Sequence, residues 1–210
     1  MDQIAIYNMA VGRVGISQFV QSIEEKSNIA ITCGVFFENC RDRVLAAFPW
    51  NFAKRVAPLT DIGAPPNGWR YRYNYPNDCI KARAVVPTLD MTTSPFITKE
   101  MIRYGYSDSF PFQVVENEAN NGNAIVSNLP TPFLWYTARV QNLNVWTPDA
   151  TSALGWLLAS EIAGPLSAQA NYTKIAGDTY ILAIREAGTN SLNEGTKQPD
   201  RETDLVTVRY

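Results

Sequence analysis

The stretch CRDRVLAAFPWNFAKRVAPL, at residues 40–59, lies where a helical sequence pattern gives way to a different one. On its N-terminal side, apolar residues recur at helical spacing from Ile29 onward, with polar residues mainly between them. Pro49 has no backbone N–H and disfavours helical geometry in the preceding residue, so we expect the helix to end there. Trp50 and Phe52 follow at once. Their rings either close a core at the helix exit or form a pocket or a partner surface.

After this stretch, short runs rich in Val, Ile, Tyr and Thr are separated by clusters of proline, glycine and asparagine as far as Val145. This pattern predicts a β region. The strand candidates, in chain order, are GWRYRYNYP, CIKARAVV, FQVVENE, NAIVSNL and FLWYTARVQ. The first two are separated by a short turn and are expected to pair as a hairpin, as are the third and fourth around ANNG. Residues 87–111 form a long connection that the pattern does not assign.

Helical patterns flank the β region on both sides. Asp2 is a natural cap for a short helix at the start of the chain. In the last third, Asp149 is expected to cap a helix that ends at Gly164 and Pro165, and Ser167 to open another. The apolar face of that last helix is expected to contain Tyr172, Ile175, Ala176, Leu182 and Ala183.

The helices at the two ends of the chain need each other, because each is amphipathic and none can bury its apolar stripe alone. We therefore predict an α+β fold, in which N- and C-terminal helices form a helical bundle with an inserted antiparallel β domain. The predicted parts are a discontinuous bundle domain (1–50 and 146–195), the inserted β domain (51–145) and an extended C-terminal tail (196–210). On this organisation Pro49, Trp50 and Phe52 are a structural junction, with both rings covering the boundary between bundle and β domain.

The composition limits the chemistry that the chain can perform. It has 210 residues, of which 46% are hydrophobic, and a formal net charge of -2, so it has material for a core and no global basic field that would attract nucleic acid. Histidine is absent, which removes the commonest general base and the commonest metal ligand. The three cysteines lack metal-ligand spacing and are expected to be buried, reduced thiols. We expect no cofactor and no metal.

The sequence also bears on where the protein is made. Its N-terminus lacks the basic segment and apolar run of a secretory signal. No apolar stretch approaches the roughly 20 residues that span a bilayer. We therefore expect synthesis in a reducing cytoplasm.

Acidic pairs are the remaining catalytic candidates. Glu24 with Glu25, and Glu116 with Glu118, match the acid and base of a glycosidase in residue type. Neither pair has a recognisable context, and Glu116 and Glu118 are more typical of a solvated strand edge. We therefore expect no enzyme, and the alternative that stays open is a cell-wall or polysaccharide hydrolase that uses acidic residues.

Four cations form the most distinctive charged pattern. The expected first hairpin places Arg70, Arg72, Lys81 and Arg83 on one sheet face, where they are candidates for contacts with DNA phosphates or with another subunit. The simpler interpretation is that these four cations lie on a solvated sheet face, opposite an aromatic core. Direct DNA binding through these side chains is the weakest of the functional hypotheses.

The last residues of the chain, DLVTVRY at 204–210, have strand propensity without an evident local partner. A disordered tail is one reading. The other is an extended segment that pairs with a neighbouring subunit, with Leu205, Val206, Val208 and Tyr210 as its contact residues. The sequence leaves both readings open.

Several short segments occur in an order that carries a family resemblance. They are AIYNMAVGRVGIS, CRDRVLAAFPWNFAKRVAPL, GWRYRYNYPNDCIKARAVV, and LWYTARVQN leading into ALGWLLASEIAGPLS. Together they span about residues 4–185. In this order and spacing they resemble the tail tubular protein A family, the head-to-tail adaptor proteins of short-tailed bacteriophages.

The resemblance implies a structural role in a virion. Members of this family form a ring, typically a dodecamer, docked beneath the portal and above the nozzle of the tail. The implied partners are other copies of the chain, the portal protein, the tail nozzle protein and viral DNA, which passes through the channel without sequence-specific binding. No small-molecule substrate and no catalytic residue is implied. The implied location is the virion tail, assembled in the host bacterial cytoplasm, and a hydrolase carried in the tail is the alternative.

Overall fold

A computed structural model describes residues 1–87, 110–117, 122–166 and 170–194. Its helices are α1 (Gln3–Arg13), α2 (Asn28–Ala47), α3 (Pro148–Leu166) and α4 (Ala170–Asn193), with 3₁₀ turns at Asn51–Ala53 and Leu143–Val145. Its strands are β1 (Lys54–Pro58), β2 (Asp61–Gly63), β3 (Tyr71–Asn74), β4 (Cys79–Val86), β5 (Phe112–Asn117), β6 (Gly122–Ser127) and β7 (Phe133–Ala138). The described part of the chain therefore combines helices with antiparallel sheets, which confirms a mixed α and β fold in general terms.

The ends of the first two helices follow from local chemistry. The Asp2 side chain accepts a hydrogen bond from the Ala5 amide at 2.9 Å, so the predicted cap of α1 is confirmed. Ser27 caps α2 through its hydroxyl, which accepts from Ala30. Phe48, just before the proline, has φ -139° and ψ 152°, an extended conformation that ends α2 as the sequence predicts.

Two details of α3 differ from expectation. Thr147, not Asp149, caps the helix, because its hydroxyl accepts from the Ala150 amide at 3.3 Å and the proline after it occupies the first helical position. The Asp149 carboxylate instead accepts from the Asn190 side chain of α4 at 2.8 Å. The helix also continues through Pro165 to Leu166. A proline this close to the end removes a hydrogen bond only from the last turn. The predicted start at Ser167 lies outside the described residues.

Helices from both ends of the chain share one hydrophobic core. α3 packs against α1, α2 and α4, and its Leu154, Leu157, Leu158 and Ile162 are buried. The same core includes Ile6 and Tyr7 from α1, Cys33, Phe37, Cys40 and Val44 from α2, and Ala176 and Ala187 from α4. The expectation that the terminal helices need each other for burial is confirmed at this level. The proposed domain boundaries stay a prediction.

The strands form two antiparallel sheets with the orders β1-β7-β4 and β2-β3-β6-β5. The sheets bury apolar residues against each other, among them Tyr73 and Ile125 of one sheet and Leu134 and Tyr136 of the other. The expected β5–β6 hairpin is confirmed. The expected hairpin of β3 with β4 is wrong, because β3 pairs with β2 and β6 while β4 pairs with β7. The apolar sides of β3 and β4 meet face to face in the core between the sheets, so the chain changes sheets between these two strands.

Candidate functional surfaces

The aromatic helix exit is buried and structural. Trp50 has 0% of its surface exposed, and its indole N–H donates to the Val44 carbonyl at 2.8 Å. Its ring lies 5.7 Å from Phe52 in a stacked arrangement and 5.4 Å from Phe48. The Phe52 ring in turn lies 5.2 Å from the ring of Trp146, which precedes α3. The pocket reading is thereby excluded for Trp50, and the rings join the exit of α2 to the entry of α3. The segment after Trp50 is a 3₁₀ turn, Asn51–Ala53.

Charged contacts tie the β1-β7-β4 sheet to α2. The Arg83 guanidinium donates to the Ala46 carbonyl at 3.0 Å and to the Thr137 hydroxyl at 2.9 Å. Ala46 lies in the last turn of α2, where backbone carbonyls lack partners within the helix. Arg139, which follows β7, forms an ion pair with Asp42 of α2 at 3.0 Å. Arg83 thus stabilises the contact between helix and sheet from inside the molecule.

The four predicted cations do not lie on one sheet face. Arg72 and Arg83 belong to different sheets, because β3 and β4 do not pair with each other. Arg72 donates to Asn117 at 2.6 Å, and its Nε is buried without a hydrogen-bond partner. Arg70 and Lys81 are exposed. A phosphate-binding surface built from all four side chains therefore has no geometric basis, while the role of each cation stays untested.

The acidic pairs acquire no catalytic setting in the described residues. Glu25 accepts a hydrogen bond from the Gln21 amide at 2.9 Å, and this bond and others lower the pKa of its carboxyl. A general acid needs a raised pKa, so this shift has the wrong direction for that role. Glu116 is exposed on β5, and Glu118 lies outside the described residues.

Cysteine chemistry is suppressed by burial. Cys33 and Cys40 on α2 and Cys79 on β4 are free and buried, as the sequence predicts. Burial raises the pKa of Cys33 to about 11 and of Cys40 to about 12, so both stay protonated at neutral pH. Across the described ranges, no three His, Cys, Asp or Glu residues lie together in a way that could hold a metal ion. None of the described helices is long and apolar enough to cross a membrane.

An open depression of about 360 Å³ lies between the start of α1, the middle of α2 and the 3₁₀ turn before α3. Its cationic groups already have partners. The Arg41 guanidinium bonds to Asp42 at 3.0 Å, and the Met1 ammonium donates to Asn144 at 2.6 Å. With Glu38 also in its lining, the depression has a mixed charge that selects neither anions nor cations.

The outer surface of α4 is the main feature that sequence reasoning misplaced. Ile175 and Leu182, expected on the buried face, are exposed, and Leu182 has 66% of its surface accessible. The side of α4 that faces the core carries Ala176, as predicted, together with Ala187 and Gly188, and Tyr172, Tyr180 and Ile184 also pack against the core. The small residues let α4 approach its neighbours closely, while Ile175 and Leu182 lie on its outward side. The sequence places apolar residues on two sides of this helix, and this was the available sign that one apolar side would stay exposed.

Comparison with known proteins adds no family assignment. No protein-family model matches the chain, and no curated protein matches it. The predicted inter-subunit tail residues Leu205, Val206, Val208 and Tyr210 lie outside the described residues.

Proposed function

We propose that the chain is a virion structural protein, a ring-forming adaptor that joins the portal to the tail nozzle of a short-tailed bacteriophage and lines the DNA ejection channel. The observation that carries the proposal is the order of helices and strands along the chain. Helices from its two ends share one core around α3, and the antiparallel sheets are inserted between them. This agrees with the helix, β, helix order that the tail tubular protein A resemblance implies.

In the proposed assembly, the four helices form a bundle that builds the wall of the ring, and the β domain projects from it. A firm connection between the two parts suits a component that transmits load between head and tail. The described contacts offer one, in the Arg83 bonds to Ala46 and Thr137 and in the ion pair of Arg139 with Asp42. Arg83 and Arg139 each join a strand region to α2, so this link does not depend on a single side chain.

The charge balance also supports a passive channel. With a formal net charge of -2 the chain has no overall electrostatic attraction for DNA. The side chains of Arg72 and Arg83 form hydrogen bonds to protein groups. Binding to DNA through many free cations would slow its passage and make it strongly salt-dependent. A channel protein without a net positive charge lets the genome slide.

The test is co-assembly with the portal protein of the same phage. The chain should form a stable complex with assembled portal in size-exclusion chromatography, and the nozzle protein should bind that complex more tightly than it binds portal alone. The order of addition supplies the control, because an adaptor must bridge the two proteins. A chain that stays monomeric and binds neither portal nor nozzle would refute the proposal.

A further inference from the structure

Strand β1 has a described partner on one side only. It pairs with β7, and the sheet order β1-β7-β4 leaves its other side without a neighbouring strand in the part of the chain that the structure describes. The Leu59 N–H, just after β1, donates to the Pro132 carbonyl, just before β7, at 2.9 Å. Backbone groups alternate in direction along an antiparallel strand, so those of Val56 point away from β7. We call this side of the strand the β1 edge.

The β1 edge can accept one more strand over a short length. Val56 presents a backbone donor and a backbone acceptor there, and its apolar side chain is 37% exposed. Pro58 also faces the β1 edge but has no N–H, so it offers only its carbonyl and limits pairing beyond it. Exposed strand edges pair readily with other strands, and proteins usually cover them.

The described part of the chain ends beside the start of this strand. The Asn51 side-chain amide, three residues before β1, donates to the Ser191 carbonyl at 2.6 Å and to the Glu194 carbonyl at 3.4 Å. Glu194 is the last described residue. Of the other outer strands, β4 already has an isolated bridge from Val85 to Phe110, while β2 and β5 belong to the second sheet. The segment that follows Glu194 therefore departs next to the start of β1.

That segment is long enough to reach every part of the β1 edge. Leu205 follows Glu194 by eleven residues, a length of chain that spans at most about 36 Å. β1 has five residues and is about 17 Å long, and the three steps from Asn51 to Lys54 add at most about 11 Å. A strand added in either direction is therefore within reach. Residues 195–203, which supply this length, are polar.

The sequence beyond residue 204 has the chemistry of a strand. Residues 205–210 read LVTVRY, with three β-branched residues in a row at Val206, Thr207 and Val208. A short tether gives such a segment an effective concentration of about a millimolar at a site on its own chain. We infer that residues 205–210 add a strand to the β1 edge of the same chain. The inference does not depend on the adaptor function, and it assigns the segment to its own chain and not to a neighbouring subunit.

The test is hydrogen exchange of the full chain at single-residue resolution, measured by mass spectrometry with electron-transfer fragmentation. The Val56 amide faces the β1 edge and reports the added strand, while the Leu59 amide faces β7 and reports whether β1 itself stays folded. Two variants form a matched pair, Val206→Pro and Thr207→Pro. Adjacent residues of a strand direct their N–H groups to opposite sides, so only one of these prolines removes a donor that faces β1.

In the unmodified chain we expect the Val56 amide to be protected from exchange, to the same extent at every protein concentration. One of the two proline variants should lose at least about tenfold of that protection, since the hydrogen bonds of a short added strand are lost together. The other variant should behave as the unmodified chain. Leu59 should keep its protection in both variants, which separates loss of the added strand from unfolding of β1.

Three results overturn the inference. A Val56 amide that exchanges freely in the unmodified chain means that the β1 edge is uncovered. Equal exchange of Val56 in the two proline variants means that residues 205–210 do not form the covering strand. Protection of Val56 that disappears on dilution to monomers means that the covering strand comes from a neighbouring subunit. The adaptor proposal survives each of these results, because none of them concerns binding to portal or nozzle.

Discussion

Replacing Trp50 by alanine should cost more stability than most single substitutions in this chain. The indole is fully buried, stacks on Phe52 at 5.7 Å and packs on Phe48 at 5.4 Å. Removing roughly 200 Å² of buried aromatic surface at roughly 25 cal/mol per Å² gives an upper bound of about 5 kcal/mol. The methyl group that alanine keeps and partial burial in the unfolded chain lower this, so we expect a loss of about 3 to 5 kcal/mol.

A second substitution separates packing from hydrogen bonding. Trp50→Phe keeps an apolar ring but removes the donor to the Val44 carbonyl, which lies 2.8 Å from the indole nitrogen. We expect this variant to lose about 1 to 2 kcal/mol, since a single hydrogen bond contributes about 1 kcal/mol and the smaller ring leaves some space. The difference between the two variants then measures the aromatic packing.

The assay is urea unfolding followed by far-UV circular dichroism, a signal that does not depend on the removed indole. The reasoning would be refuted if Trp50→Ala lost less than about 0.5 kcal/mol, the range of ordinary surface substitutions. Such a result would mean that the ring does not close the core at the exit of α2. Equal losses for alanine and phenylalanine would assign the effect to the hydrogen bond instead.

Two further predictions concern packing and ionisation. A Cβ on Gly188 would meet the Phe48 ring at 2.8 Å, so Gly188→Ala should destabilise by about 1 to 3 kcal/mol in urea unfolding. Gly177→Ala, in the same helix with nothing within 4 Å, should instead be neutral or stabilising by up to about 1 kcal/mol. Burial raises the pKa of Cys40 from 9.0 to about 12, so its contribution to stability is complete below the unfolded pKa and is lost as the pH rises. The free energy of unfolding should therefore fall from about pH 9 upward, and Cys40→Ala should flatten that fall.

The sequence was most informative where local chemistry decides the structure. The cap at Asp2, the end of α2 before Pro49 and the β5–β6 hairpin were all predicted, because each depends on residues close together in the chain. The burial of Trp50 agrees with the structural junction predicted for Pro49, Trp50 and Phe52.

The predictions that were wrong concern contacts between segments that are far apart in the sequence. β3 and β4 look like a hairpin, yet β6 and β7 are their partners, and nothing near the turn between them reveals this. Because β3 and β4 do not pair, the prediction that four cations share one sheet face is wrong as well. On α4, both sides are apolar, and the side with Ala176, Ile184 and Ala187 packs on the core while Ile175 and Leu182 face outward. A helical pattern alone does not tell which of two apolar sides a neighbour will cover.

Negative-stain electron microscopy of the purified chain, alone and with assembled portal, tests the adaptor proposal most directly. The account predicts closed rings with an open central channel, which stack coaxially on the portal when both proteins are present. Particles of monomer size in both samples, at concentrations where portal itself is fully assembled, would contradict it.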